Sequence, residues 1–112
     1  MSEKAKLKFD SLTDEEKSLL DAYVKRQVYY QKQAGNTNKT EILENNLKIS
    51  FLEIGNLEEV IKKQKEYESL SLRQQELEDF KGIEAEKKNI GMANKTIDRI
   101  YNEILSGKIV RD

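Results

Sequence analysis

The first residues of the chain alternate between long cations and apolar side chains. Lys4-Ala5-Lys6-Leu7-Lys8-Phe9 has the period of two that is typical of a β-strand, whose successive side chains point to opposite faces. A strand needs a partner for its backbone hydrogen bonds, and the sequence offers no second strand-like stretch. We therefore expect Lys4–Phe9 to pair with the same segment of a second copy. The alternative is a frayed basic N-terminus that leads into the first helix.

Two amphipathic helices are predicted to follow. The first begins at Thr13, which can form a capping box with Glu16. It ends near Gln33, before Gly35. The second is predicted to begin at Asn38 as its cap, and it has too many apolar positions for one narrow stripe, so we expect it to form the core of the fold. Those positions are Ile42, Leu43, Leu47, Ile49, Phe51, Leu52 and Ile54.

The C-terminal half is predicted to be helical and rich in charge. Gly55-Asn56 marks a break, and from Glu58 to Lys88 acidic and basic residues alternate in short blocks, which is typical of a solvated surface. A seven-residue spacing begins at Leu70 and Leu77 but lapses at Glu84. A short helical hairpin is therefore favoured over a sustained coiled coil.

A last helix is predicted after Gly91, opened by Asn94-Lys95-Thr96 and stopped by Gly107. Its apolar residues lie on one face, and we expect that face to contact either the domain core or another protein. These candidate protein-interaction residues are Ile97, Ile100, Tyr101, Ile104 and Leu105.

Composition describes a polar chain with a thin core. Apolar and charged residues each make up 37% of the 112 residues, so we expect a partner to add stability. The absence of cysteine favours the cytoplasm, and no stretch has the apolar character of a signal peptide or a membrane span. Residues 1–40 carry eight basic and six acidic residues, whereas residues 41–112 carry twelve and fifteen. This weak asymmetry permits a nucleic-acid face near the N-terminus.

The sequence holds little of the chemistry that enzymes use. Histidine and cysteine are absent, which removes the commonest general base, the thiol nucleophile and the best zinc ligands. The carboxylates lie in mixed-charge runs, and the sequence has neither a phosphate-binding glycine loop nor a calcium-loop motif. We therefore expect no enzymatic activity, no cofactor and no metal site.

The order of elements resembles that of the ribbon-helix-helix DNA-binding proteins. It comprises a basic strand at residues 4–9, a capped helix from Thr13 and a second helix after Gly35. The resemblance covers residues 4–54, and it implies a mostly α homodimer whose two-stranded intermolecular β-ribbon enters the major groove of double-stranded DNA. The segment between strand and second helix is longer here than in that family. By position, the resemblance implies that Lys4, Lys6 and Lys8 face the bases and that Asn38, Lys39 and Thr40 hold phosphate.

A helical C-terminal extension makes the chain similar to the relaxosome accessory proteins of conjugative plasmids. This resemblance implies a DNA-binding and dimerisation domain at residues 1–55 and a helical protein-interaction extension at residues 56–112. The implied function is that of a sequence-specific DNA-binding homodimer, either a relaxosome accessory factor or a transcriptional repressor of a plasmid or other mobile element. A relaxase or another protein is the implied partner of the extension.

Two other functions remain open. The chain could be an all-helical adaptor or inhibitor from a phage or plasmid, with Ile97–Leu105 or Tyr29-Tyr30 as its docking surface. Alternatively, Ile90–Ile100 resembles the turn and recognition helix of a helix-turn-helix DNA binder. In that motif a small residue usually stands where this chain has Lys87.

Overall fold

The structure is a computed structural model that describes the backbone of residues 2–105 and the side chains of residues 2–90. Within that range the chain forms five α-helices and no strand. Helix α2 contacts α3, α4 and α5, so these three helices are arranged around it, whereas α1 packs on α3. The helices are α1 (Glu3–Asp10), α2 (Asp14–Gln33), α3 (Thr40–Ile54), α4 (Leu57–Glu68) and α5 (Leu72–Leu105).

Helix α1 corrects the predicted fold class. Residues 3–10 are helical, so the predicted N-terminal β-strand, its intermolecular ribbon and the ribbon-helix-helix dimer are wrong. Six alternating residues also contain the pair Ala5 and Phe9, which are four apart and therefore lie on the same face of a helix. In α1 this pair packs into the core, with Ala5 fully buried, whereas Leu7 is 64% exposed. The short alternation was therefore compatible with either structure.

Contacts at both ends of α1 stabilise it as a helix. Ser2 is its N-cap and accepts a hydrogen bond from the backbone amide of Ala5 at 3.2 Å. The Ser2 hydroxyl also donates to the carboxylate of Glu53 on α3. At the other end, Lys48 Nζ lies 4.0 Å from the centroid of the Phe9 ring. Because position 2 meets position 53 and position 9 meets position 48, α1 lies antiparallel to α3.

Helix α2 confirms the first predicted helix. Thr13 Oγ1 accepts a hydrogen bond from the Glu16 amide at 3.1 Å, and the Glu16 carboxylate accepts one from the Thr13 amide at 3.0 Å, so the capping box is complete. Both hydrogen bonds lower the pKa of Glu16. The bond from the Thr13 amide has the larger effect, and the bond with the Thr13 side chain has the smaller. The buried residues of α2 are Leu19, Leu20, Val24, Val28 and Tyr30.

Helix α3 begins later than predicted and is not the centre of the core. Lys39 is its N-cap, whereas the Asn38 amide donates to Asn36 Oδ1 at 2.9 Å, so the prediction that Asn38 caps this helix is wrong. Only Leu52 of α3 is fully buried. The prediction that this helix forms the core is also wrong, since α2 buries five side chains and α4 buries four. The break predicted at Gly55-Asn56 is confirmed, and both residues have positive φ values of 108° and 70°.

Helix α5 is continuous from Leu72 to Leu105. The predicted break at Gly91 and the predicted turn of a helix-turn-helix within residues 90–100 are therefore wrong. A glycine inside a helix costs only about 1 kcal/mol relative to alanine, so a single glycine does not end a helix whose neighbours favour it. The predicted interaction residues belong to α5, but their side chains lie outside the described residues. They are Ile97, Ile100, Tyr101, Ile104 and Leu105.

The hydrophobic core comes from the first four helices. We call α1–α4 the body, because they supply every member of the buried apolar cluster among the described residues. Helix α5 lies against this body and contacts it mainly through α2 and α4. The cluster consists of Ala5, Leu20, Val24, Val28, Leu52, Leu57 and Val60.

Replacing Thr13 tests the cap of α2. Thr13→Ala removes the hydroxyl that accepts from the Glu16 amide, and we expect a loss of about 1 kcal/mol in the free energy of unfolding, measured by chemical denaturation. We also expect the pKa of Glu16 to rise toward 4.5, measured by NMR titration. Because the folded pKa is lowered, the contribution of Glu16 to stability is present above pH 4.5 and is lost as the pH falls further.

The matched control for the cap is Ser18→Ala, which removes an exposed hydroxyl inside α2. It should leave the Glu16 titration unchanged and should not lower stability, because alanine is the better helix former. An unaltered Glu16 pKa in Thr13→Ala would contradict the capping box.

Candidate functional site

The residues predicted to bind DNA lie in two separate places. One set is exposed on α1, and the other lies at the start of α3. The C-terminal end of α1 meets α3 at Lys48, eight residues beyond Thr40. This spacing corresponds to about 12 Å along the helix axis. The structure therefore does not bring the two sets together. The first set is Lys4, Lys6 and Lys8 on α1, and the second is Asn38, Lys39 and Thr40 near the start of α3.

A cleft of about 500 Å³ lies between α2, α4 and α5. Its central residue is Arg26, whose guanidinium carbon is 4.0 Å from the centroid of the Tyr67 ring. The same carbon is 5.2 Å from the Tyr23 ring and 5.8 Å from the Tyr30 ring. Three aromatic rings thus surround one cation, which is a favourable cation–π arrangement.

Hydrogen bonds continue from Arg26 to α5. Arg26 Nε donates to Gln64 Oε1 at 3.1 Å, and Arg26 Nη1 donates to the Tyr30 hydroxyl at 3.1 Å. The Tyr30 hydroxyl donates to Asp79 Oδ1 at 2.6 Å. The Tyr67 hydroxyl donates to the same oxygen at 2.9 Å. We call Arg26, Tyr30, Gln64, Tyr67 and Asp79 the polar clasp, because they join α2, α4 and α5.

The electrostatics of the polar clasp favour a structural role. Burial raises the pKa of both Tyr30 and Tyr67, and their hydrogen bonds to Asp79 raise it further. Both phenols therefore stay protonated near neutral pH and donate to Asp79, so neither is poised as a general base. Among the residues whose side chains are described, no group of acidic side chains is arranged to hold a metal ion. The arrangement can hold three helices together.

Gly82 allows α5 to approach α2 closely. A Cβ atom at this position would lie 2.4 and 2.5 Å from two carbons of the Tyr30 ring, which is too close for any real contact. Tyr30 is only 2% exposed, so its ring has little room to move away. Asp79 and Gly82 are three residues apart and lie on the same side of α5. The missing side chain at Gly82 therefore lets the Tyr30 hydroxyl reach Asp79.

A second side of α5 carries exposed apolar residues. Leu77 and Phe80 are 55% and 63% exposed, and they lie three residues apart on the helix surface. Ile83 lies four residues after Asp79 and Ile90 eight residues after Gly82, so both lie nearer the side that contacts the body, and both are only partly exposed. We call Leu77 and Phe80 the α5 apolar face. It is separate from the side of α5 that contacts the body.

The sequence analysis missed the polar clasp. It interpreted Tyr29-Tyr30 as one docking surface, but Tyr30 is buried in the clasp while Tyr29 is 50% exposed. A local signal was available on α2, where Tyr23, Arg26 and Tyr30 recur at intervals of three and four and therefore share a helix face. Their partners on α4 and α5 follow no local pattern. Arg26 and Gln64 are 38 residues apart along the chain, and Tyr30 and Asp79 are 49 residues apart.

Comparison with protein-family models, with curated proteins and with solved structures finds no match. None of the helices within the described part of the chain combines the length and the apolar character that crossing a bilayer requires. The site geometry is therefore the basis for a functional proposal.

Gly82→Ala tests the close approach of α5. The added methyl group would overlap the Tyr30 ring, and we expect the free energy of unfolding to fall by about 1–3 kcal/mol. We also expect faster hydrogen exchange at the C-terminal end of α2 and in α5 around residue 82. In an unconstrained helix the same change would stabilise by about 1 kcal/mol, so the expected sign is opposite to that of helix propensity.

Ala85→Gly is the matched control for Gly82→Ala, because Ala85 is exposed on the same helix. We expect it to lower stability by about 1 kcal/mol through helix propensity and to leave exchange in α2 unchanged. A more stable Gly82→Ala protein would contradict the contact with Tyr30.

Asp79→Asn tests the charge in the polar clasp. We expect the pKa of Tyr30 and Tyr67 to move down toward 10 but to remain above it, because burial persists. Tyrosinate absorbance as a function of pH measures this change. With raised pKa values the phenols stabilise the fold below pH 10, and this contribution is lost as the pH rises further. The variant should therefore be less stable at neutral pH but lose less stability above pH 10 than the unchanged protein.

Glu78→Gln is the control for Asp79→Asn, since Glu78 is the neighbouring acid and pairs with Lys81 at 3.7 Å. It should leave the tyrosine titration unchanged. Equal titration curves for Asp79→Asn and the unchanged protein would argue against the shared carboxylate.

Proposed function

We propose that this chain is an all-helical protein-interaction module. The body supports α5, and the α5 apolar face binds an amphipathic helix of a partner protein. The observation that carries the proposal is the 63% exposure of Phe80 beside Leu77, on a helix that is fixed in place by contacts on another side. Groups of exposed large apolar residues are a common mark of protein-binding surfaces.

The α5 apolar face has the composition and spacing of a helix-binding surface. Full burial of a phenylalanine or leucine side chain contributes about 1.5–3 kcal/mol, so Leu77 and Phe80 could anchor a partner. The interval of three residues between the two anchors matches one of the apolar spacings of a second helix. The polar clasp fixes α5 in advance, which lowers the entropy that is lost on binding.

Charged pairs flank the two anchors and would orient the partner. Lys81 Nζ lies 3.7 Å from Glu78 Oε1, and Lys87 Nζ lies 3.3 Å from Glu84 Oε1. These pairs are exposed, so they add little to the stability of the chain itself. At a binding surface, such charges select the register and reject partners with like charges. We therefore expect the partner helix to carry both acidic and basic residues beside its apolar stripe.

The proposed role is noncatalytic and assigns no cofactor, and the lack of cysteine favours a cytoplasmic location. The DNA-binding interpretation depended on a ribbon formed by Lys4–Phe9, and α1 stands in its place. Double-stranded DNA remains the competing ligand in the test, because three lysines are exposed on α1.

Site-specific photocrosslinking in the native host tests the proposal. A crosslinking amino acid at position 80 should capture a partner peptide with apolar residues at intervals of three and four, identified by mass spectrometry. The same amino acid at position 54 is the matched control, because Ile54 is 81% exposed but belongs to α3. Leu77→Asp should abolish the product at position 80, since it places a charge beside the anchor. Equal products at both positions, or a product that Leu77→Asp leaves unchanged, would overturn the proposal.

A gel shift with duplex DNA at low salt addresses the competing ligand. We expect no retardation that depends on Lys4, Lys6 and Lys8. Retardation that is lost when all three are changed to alanine, and that weakens steeply with added salt, would replace the protein-interaction proposal with a DNA-binding one.

A further inference from the structure

Arg26 lies in the cleft between α2, α4 and α5 without a carboxylate as its direct partner. The ion pairs among residues 2–90 all join other side chains. The Arg26 side chain is nevertheless partly buried and is surrounded by three tyrosine rings. Partial removal of a charged group from water costs free energy, and an opposite charge nearby offsets that cost. The cleft therefore presents a cation that an anionic ligand can pair with.

The guanidinium group of Arg26 has donors that the polar clasp does not use. Its hydrogen bonds to Gln64 and to the Tyr30 hydroxyl come from Nε and Nη1. The remaining nitrogen, Nη2, carries two further N–H donors and makes no hydrogen bond with another described residue. No buried side-chain nitrogen within residues 2–90 lacks a partner, so Nη2 must be open to solvent. Since Arg26 lines the cleft, these donors are accessible to a ligand there.

Aromatic and apolar side chains form other walls of the cleft. The Tyr67 ring stacks on the guanidinium group, with its centroid 4.0 Å from the guanidinium carbon. The Tyr23 ring is held in place by an edge contact with Phe51, with 5.7 Å between the two centroids. Leu70 adds an aliphatic surface. The volume of about 500 Å³ lies within the range of small-molecule sites, which combine apolar walls with a few polar groups.

The charges that line the cleft leave a small positive excess. The cations are Arg26, Lys63 and Lys81, and the carboxylates are Glu66 and Glu78. Lys81 Nζ lies 3.7 Å from Glu78 Oε1, so these two charges offset each other. A ligand with a single negative charge would therefore balance the cleft. A multiply charged phosphate would be less favourable, because the two carboxylates would repel it.

We propose that this cleft binds a small organic acid with one carboxylate and an aromatic body. The carboxylate accepts hydrogen bonds from Arg26 Nη2, and the body lies against Tyr23 and Leu70. Guanidinium and carboxylate groups are both planar and form charge-assisted hydrogen bonds, which are stronger than neutral ones. Neither Leu77 nor Phe80 lines the cleft, so this inference is independent of the proposed function.

Titration of the full chain with phenylacetate, followed by NMR chemical shifts, tests the site. We expect saturable shifts at Arg26, Tyr23 and Tyr67, with a dissociation constant of about 1 mM or less. Phenylacetamide has the same ring but no charge, and we expect it to bind about tenfold more weakly. Inorganic phosphate should also bind more weakly than phenylacetate. These comparisons use the unchanged protein, so they do not depend on the folding of a variant.

Glu66→Gln changes the charge of the cleft without altering the polar clasp. Glu66 is exposed and lines the cleft, so removal of its charge should tighten phenylacetate binding by roughly twofold to fivefold. Glu68→Gln is the matched control, because Glu68 is exposed on the same helix but does not line the cleft. It should have a smaller effect on affinity.

Arg26→Lys retains the positive charge but removes the planar group and its Nη2 donors. We expect phenylacetate to bind about tenfold more weakly, with the fold checked by circular dichroism. Undiminished affinity in Arg26→Lys, equal affinity for phenylacetate and phenylacetamide, or tighter binding of phosphate would overturn the proposal. Absence of saturable shifts, or equal affinities of Glu66→Gln and Glu68→Gln, would also overturn it. None of these results would affect the proposed binding of a helix at Leu77 and Phe80.

Discussion

The contact between Tyr30 and the Asp79–Gly82 segment is the constraint on which the position of α5 depends. Helix α5 adds no described side chain to the buried apolar cluster, so hydrophobic packing alone does not fix its place. The Tyr30 hydroxyl and Asp79 supply a directional bond of 2.6 Å, and Gly82 supplies the room. Because directional bonds set both distance and rotation, they determine which side of α5 faces solvent. The outward position of Phe80 follows from this contact.

Burial of polar groups is tolerated here because their hydrogen bonds are complete. Among the described residues, no buried side-chain nitrogen or oxygen lacks a partner. Gln64 is the one buried polar residue in that range, and it receives a hydrogen bond from Arg26. A network with an unpaired member would be less favourable than apolar packing, whereas a satisfied one specifies a single arrangement. The polar clasp thus selects one orientation of α5 from the many that the thin core would permit.

Local patterns predicted the helices well where the signal was stereochemical. The capping box at Thr13 depends only on neighbouring residues, so the start of α2 could be predicted. The alternation at residues 4–9 failed because six residues do not separate a period of two from an i, i+4 pair, and tertiary contacts to α3 decided the outcome. Gly91 failed as a stop signal because one glycine costs too little to end a long helix. The polar clasp could not be predicted, since it joins residues that are distant in sequence and acquire meaning only together.

The body supplies the stability of the fold, and α5 supplies the surface that we propose for recognition. The buried apolar cluster of the described residues lies in α1–α4, so a change on the α5 apolar face removes no contact within that cluster. Conversely, the exposed apolar surface of α5 adds little to the stability of the chain, because Leu77 and Phe80 are largely exposed and bury little apolar area. Solvent exposure of such side chains carries an aggregation risk, and a partner helix that covers them removes it. The fold therefore holds α5 rigidly enough to bind while leaving its apolar side to be completed by another helix.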